Sequence, residues 1–129
     1  MRGLRLFVRP IEAEDHPALE AFFARQTEGV TPASGGPGNP AWGLLGKLLG
    51  DVVAVVALQL TDDVLRVEDV TVARELRRKW IGRVMMREVE QLAVKMDRRR
   101  IVVEHAGDAQ EFFRRVGFQS EGVRWVREI

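Results

Sequence analysis

The chain has 129 residues, with 20 Lys and Arg against 19 Asp and Glu, and 46% of its residues are hydrophobic. A formal net charge of +1 excludes partner choice by overall charge, and the apolar share excludes intrinsic disorder. Cysteine is absent, which removes disulfide frameworks, thiolate metal sites and thiol nucleophiles; tyrosine is absent as well. At roughly 100–200 residues per domain, a single domain over residues 1–129 is expected. The N-terminal stretch Met1–Pro10 is broken by charge, unlike a signal peptide, and the longest apolar run, Val52–Leu58, is far too short to span a membrane. A soluble, cytoplasmic protein is expected.

Leu4, Leu6 and Val8 alternate with Arg5, Phe7 and Arg9, which predicts a first strand ending at Pro10. Asp15 is placed to cap a helix over about 16–26, with Pro17 in its first turn and Leu19, Phe22 and Phe23 on its apolar stripe. Residues 31–40 are rich in Pro and Gly and read as a loop. Ala41–Leu45 and Leu48–Leu60 read as strands joined by a Gly46-Lys47 turn, and the Val52–Leu58 run predicts a strand buried on both faces. In the next strand, Val64–Val72, the apolar phase moves from Leu65 and Val67 to Val70 and Val72. A period of two slips by one residue at a β-bulge, placing a bulge near 68–69.

A long helix follows, with Ile81, Val84, Met85, Val89, Leu92, Ala93 and Met96 at steps of three or four. After a short strand at Ile101–Glu104, Asp108 and Glu111 have capping-box spacing, Ala109, Phe112, Phe113 and Val116 form a stripe, and Gly117 is a helix stop. Phe118–Ile129 reads as one closing strand, bent at Gly122. The order β-α-loop-β-β-β-α-β-α-β predicts a mixed sheet with helices on its faces.

Arg77, Arg78, Lys79 and Arg83 surround the start of the long helix. The first amides of a helix lack partners within it, and its dipole disfavours cations there, so four of them together fit a site that holds an anion such as phosphate. A solvated basic surface is the other reading of the same residues.

Arg77-Arg78-Lys79-Trp80-Ile81-Gly82 resembles the acetyl-CoA signature of the GNAT superfamily of N-acetyltransferases, Arg/Gln-x-x-Gly-x-Gly/Ala, with Trp80 at the middle glycine. Ala109-Gln110-Glu111-Phe112-Phe113-Arg114-Arg115-Val116-Gly117-Phe118 is similar to the family's second signature, with Phe113 where a Tyr is usual. Arg9-Pro10 followed by Asp15 is also typical, and the resemblance covers residues 5–122. It implies an α/β fold with a mixed, mostly antiparallel central sheet, a bulged and splayed strand, and helices on both faces.

The resemblance further implies acetyl-CoA as cosubstrate, with no metal. The backbone of Val70, Thr71 and Val72 would pair with the pantetheine arm. Arg77, Arg78, Lys79, Trp80, Ile81, Gly82 and Arg83 would hold the pyrophosphate, and Phe113 would stand near the thioester. An acceptor amine, on a small molecule or a protein, would attack the acetyl carbonyl directly. An alkylamine has a pKa near 10.4 and must first lose a proton, for which Glu68 and Glu104 are the candidate bases, ahead of His105. His105 has only His16 as a second histidine, which does not make a metal site.

Phe113 cannot protonate a departing thiolate, so a catalytically silent module that binds coenzyme A or phosphate is the alternative. A nucleic-acid or acidic-protein face built on Arg98-Arg99-Arg100 and residues 77–79 is a third reading, against which the near-neutral charge argues. Few residues follow Phe118, so a partner chain is expected to complete the last strand, giving a homodimer with Trp125 and Val126 as candidates for the contact; Trp125 fits a core position equally.

Overall fold

The computed structural model describes residues 5–26, 42–61, 63–76, 80–104 and 106–129. The expected loop at 31–40, the basic triplet Arg77–Lys79 and His105 therefore lie outside the described residues. Seven strands, β1 (Phe7–Pro10), β2 (Gly43–Leu48), β3 (Asp51–Leu60), β4 (Val64–Val72), β5 (Arg100–Val103), β6 (Gln119–Glu121) and β7 (Arg124–Glu128), form one sheet in the order β1-β2-β3-β4-β5-β7-β6. Only β4 and β5 run parallel; the other pairs are antiparallel. Among the described residues three α-helices, α1 (His16–Gln26), α2 (Ile81–Lys95) and α3 (Gln110–Arg115), accompany it. No described helix is long and apolar enough to cross a membrane.

Consecutive strand side chains point to opposite faces, so a strand in which every residue is buried is covered on both. Val52 through Val56 of β3 are all buried, as the unbroken apolar run predicts, and both α1 and α2 lie against this strand. Helix α1 contributes Leu19, Phe22 and Phe23, and α2 contributes Ile81, Met85, Met86, Val89 and Ala93. The parallel β4-α2-β5 crossover stretches α2 across β2, β3, β4 and β5.

Three local expectations are corrected. The β2–β3 turn is Leu49-Gly50, not Gly46-Lys47: both residues have positive φ (52° and 87°), as a two-residue hairpin turn of the primed type requires. Gly46 lies inside β2, where an added Cβ would come within 2.9 Å of Met85 Sδ, so this glycine serves close packing of α2. Asp15 does not cap α1. Its carboxylate instead accepts two hydrogen bonds from the Arg9 guanidinium, at 2.6 and 2.8 Å, and one from the Glu12 amide at 2.8 Å. The N-cap position of α3 is Ala109 and not Asp108, Ala109 makes no side-chain cap bond, and Glu111 pairs with Arg114.

The chain end differs from expectation as well. Gln119–Glu121 and Arg124–Glu128 form a hairpin about Gly122-Val123 in place of one bent strand. Trp125 takes the core alternative, and it and Val126 are each 5% exposed within this one chain. The stop of α3 at Gly117 is as expected: φ is 101°, with bonds from Gly117 N–H to Arg114 O and from Phe118 N–H to Phe113 O. Arg127 joins this stop to α2 by pairing with Glu90 while donating to Gly117 O.

Candidate active site at the parting of two strands

The expected bulge is present, and its position can be read from the register. Ala57 opposes Asp69 and Leu58 opposes Val67, which leaves Glu68 as the extra residue of β4. A bulge bends its strand and raises the local twist. On the other side of β4, the parallel ladder with β5 runs from Val64↔Arg100 to Val67↔Val103 and stops there. Strand β4 continues to Val72 along β3, pairing Val70 with Val56, Thr71 with Val55 and Val72 with Ala54. The two parallel strands therefore part immediately at the bulge, and Val70, Thr71 and Val72 line one side of the opening, half-buried.

The last paired residues are Val67 and Val103, so the next residue in each strand is one of the two candidate bases, Glu68 and Glu104. The fold thus sets both acids at the mouth of the same opening. Glu104 is tied to Arg66, whose Nη2 lies 3.8 Å from its Oε1. Glu68 is exposed and has no ion-pair partner among the described residues. Its neighbour Asp69 accepts a 2.7 Å hydrogen bond from the Thr71 hydroxyl.

At the end of β4, Ala73 is buried and its N–H donates to Val53 O at 2.7 Å. A 3₁₀ turn over Arg74–Leu76 leads toward α2, whose first intrahelical donor toward Trp80 O is the Val84 amide, at 3.0 Å. The amides of the first helical turn have no acceptors within the helix. Trp80 sits at φ −76° and ψ −9°, a helical conformation open to any residue, so the loss of glycine at this point of the signature imposes no backbone strain. Its indole is 45% exposed beside that helix end. Gly82 faces α3, where an added Cβ would come within 3.0 Å of Phe112 Cε1, so the glycine lets the two helices close together. Ile81 is buried and Arg83 is exposed.

Phe113 is 3% exposed and stacks edge-to-face between Phe112 and Phe118, with centroids 5.2 and 5.4 Å away. It is a core residue, whatever else it borders. Two of the three arginines at 98–100 are engaged within the chain, and Arg99 is exposed. Arg98 donates to Thr61 O and Met96 O, and Arg100 pairs with Glu128. Among the described residues no group of three or more His, Asp or Glu converges as metal ligands would.

One feature of this region escapes sequence reasoning. Gln26, the last residue of α1, bonds to Arg74 just past β4, across 48 positions of chain. Only tertiary packing brings the two together, and no local motif signals it.

A model of the acetyltransferase (GNAT) family matches residues 6–118. No curated protein matches the sequence significantly. Solved structures sharing the fold include the ribosomal-protein-S18-alanine N-acetyltransferase of Escherichia coli (14% identity, TM-score 0.75, covering 97% of this chain and 94% of that one). A GNAT family acetyltransferase from Brucella melitensis in complex with acetyl-CoA is similar at 16% identity and TM-score 0.77, over 97% of this chain and 88% of that one. The N-acetylglutamate synthase of Neisseria gonorrhoeae, complexed with coenzyme A and N-acetyl-glutamate, aligns at 14% identity and TM-score 0.74 over 96% of this chain but 35% of its own. At these identities the likeness is one of fold, with the same mixed, mostly antiparallel sheet. The family model covers most of the sequence, and the chain belongs to the GNAT family of acetyltransferases.

Proposed function

We propose that this protein is an N-acetyltransferase that moves an acetyl group from acetyl-CoA to an amine of a small molecule or a protein. The observation that carries the proposal is the opening between β4 and β5 at Glu68, followed in the chain by the α2 N-terminus. The residues of the site suit the parts of the coenzyme. Val70, Thr71 and Val72 offer strand backbone to the amides of a pantetheine arm. The first-turn amides of α2, with Arg77, Arg78, Lys79 and Arg83 nearby in sequence, offer donors and positive charge to a diphosphate. Trp80, Ile81 and Gly82 form that helix end without a strained backbone position.

Acetyl-CoA, when bound, supplies an activated acetyl thioester. The residues of the chain have two tasks beside it. They hold the acceptor and thioester in attack geometry, which alone can lower a barrier by several kcal/mol. They also remove a proton from the acceptor ammonium, a task that falls to Glu68 in preference to Glu104. The Arg66 contact engages the Glu104 carboxylate, whereas Glu68 stands exposed at the opening. Phe113 cannot donate a proton, so the departing thiolate would take one from water. General acid help is worth roughly 10²–10⁴-fold, and its loss slows such a reaction without abolishing it.

The groups named for two fold relatives, a ribosomal protein's alanine and N-acetyl-glutamate, make amines in general plausible acceptors here without selecting one. Phe113 in the core favours a second reading, a module that binds the coenzyme and does not turn it over. Calorimetric titration with coenzyme A, followed by thiol release from acetyl-CoA across a panel of amino acids and peptides, tests both. The cysteine-free chain contributes no thiol to that assay. Binding with release above the uncatalysed rate supports the transferase; binding without release leaves the silent module; no binding removes both.

A further inference from the structure

Helix α1 ends on a residue that is bonded three ways. The Gln26 side-chain oxygen accepts from the Arg74 backbone N–H at 2.8 Å, and its main-chain oxygen accepts from Arg74 Nη2 at 2.7 Å. Its side-chain nitrogen donates to Phe22 O at 3.3 Å, which fixes the amide's orientation, and Phe22 itself is fully buried. Gln26 is thereby anchored in the core on one side and holds Arg74 on the other. Arg74 follows directly on buried Ala73 at the end of β4 and opens the 3₁₀ turn that leads toward α2. Its backbone N–H stands at the start of that turn, where a helical segment leaves amides without partners of its own, and the Gln26 oxygen fills that need from another element.

We propose that Gln26 is a positioning residue for the coenzyme: by gripping Arg74, it fixes how the chain leaves the end of β4, and so the placement of the diphosphate-binding amides in the first turn of α2. This rests on the coenzyme reading given above. Gln26 needs no contact with the ligand to act in this way. Its effect falls on the phosphate end of acetyl-CoA and not on the pantetheine end, which the β4 backbone serves independently. An acceptor oxygen at position 26 is the required feature. Glutamate keeps that oxygen and adds an attraction to the Arg74 guanidinium while giving up the bond to Phe22 O, whereas alanine loses both.

The test compares wild type, Gln26→Ala and Gln26→Glu, each titrated with coenzyme A, and measures KM for acetyl-CoA and for acetyl-pantetheine, which lacks the phosphates. Losing one net hydrogen bond predicts about a fivefold rise in Kd and in KM for acetyl-CoA in Gln26→Ala. The KM for acetyl-pantetheine should stay unchanged, and Gln26→Glu should stay near wild type with both. Equal weakening toward the two substrates, or equal affinity of wild type and Gln26→Ala for coenzyme A, overturns the positioning role while leaving the coenzyme reading intact. A wild-type protein that binds no coenzyme A overturns both. If Gln26→Ala fails to fold, the Gln26→Glu comparison still decides: a KM that rises equally for acetyl-CoA and acetyl-pantetheine overturns the positioning role, and one near wild type with both supports it.

Discussion

Glu68 and Glu104 are the residues next after the last rung of the β4–β5 ladder, which is why two acids far apart in sequence face one opening. Their surroundings differ, and the difference sets a prediction. Glu68→Gln should lower kcat by about 10²-fold, in line with the loss of a general base, with coenzyme A affinity unchanged; Glu104→Gln should cost less than tenfold. Steady-state kinetics against pH, with calorimetry for the affinity, decides it. Asp15 makes a second residue-scale prediction. The Arg9 guanidinium hydrogen-bonded to it holds its pKa at about 2, from the usual 3.8, with the Glu12 amide adding to the effect and burial opposing it. The folded state therefore binds fewer protons than the unfolded chain between these values. The stabilisation is complete above about pH 4 and is lost as pH falls toward 2. Asp15→Asn should cost roughly 1–2 kcal/mol at neutral pH, Arg9 being partly exposed, and should flatten the acid limb of a denaturation series.

At the scale of elements, the β2–β3 hairpin carries an unusual residue. Leu49 occupies a left-handed conformation and is 78% exposed, so it has the steric cost of that conformation and none of the burial that favours leucine elsewhere. Leu49→Asn would produce Asn-Gly, the pair such turns prefer, and should raise stability by about 0.5–1 kcal/mol, or roughly 2–4 °C in Tm by calorimetry. The same turn shows what a sequence hides. Gly46-Lys47 has turn composition, yet Gly46 is small because Met85 and Leu6 press on it from elsewhere in the fold. Leu49 gives no turn signal at all. The bulge at Glu68, by contrast, is legible because it displaces an alternation that local sequence records. So is the buried β3, since an unbroken run of Val and Ala leaves neither face of a strand suited to water.

Over the whole molecule, legibility follows the range of the interactions involved. Helix stripes, the strand order along the chain and the Gly117 stop depend on neighbours a few positions away and can be read directly. Asp15 has the sequence position of a helix cap, yet its true partner, Arg9, lies back across the first turn. The closing hairpin reads as one bent strand because β6 holds only three residues, fewer than a pattern needs to declare itself. The candidate site divides along the same line. The positions proposed to face the coenzyme sit in compact signatures, whereas the link from Gln26 to Arg74 exists only after the fold has formed. The outermost strands have a consequence for handling this protein. On one side β1 is four residues long and ends in Pro10, which lacks a donor; on the other, β6 offers three exposed positions, Gln119, Ser120 and Glu121. Neither border gives a stranger chain much length to zip onto, so these margins resist the stacking by which exposed sheets gel when concentrated.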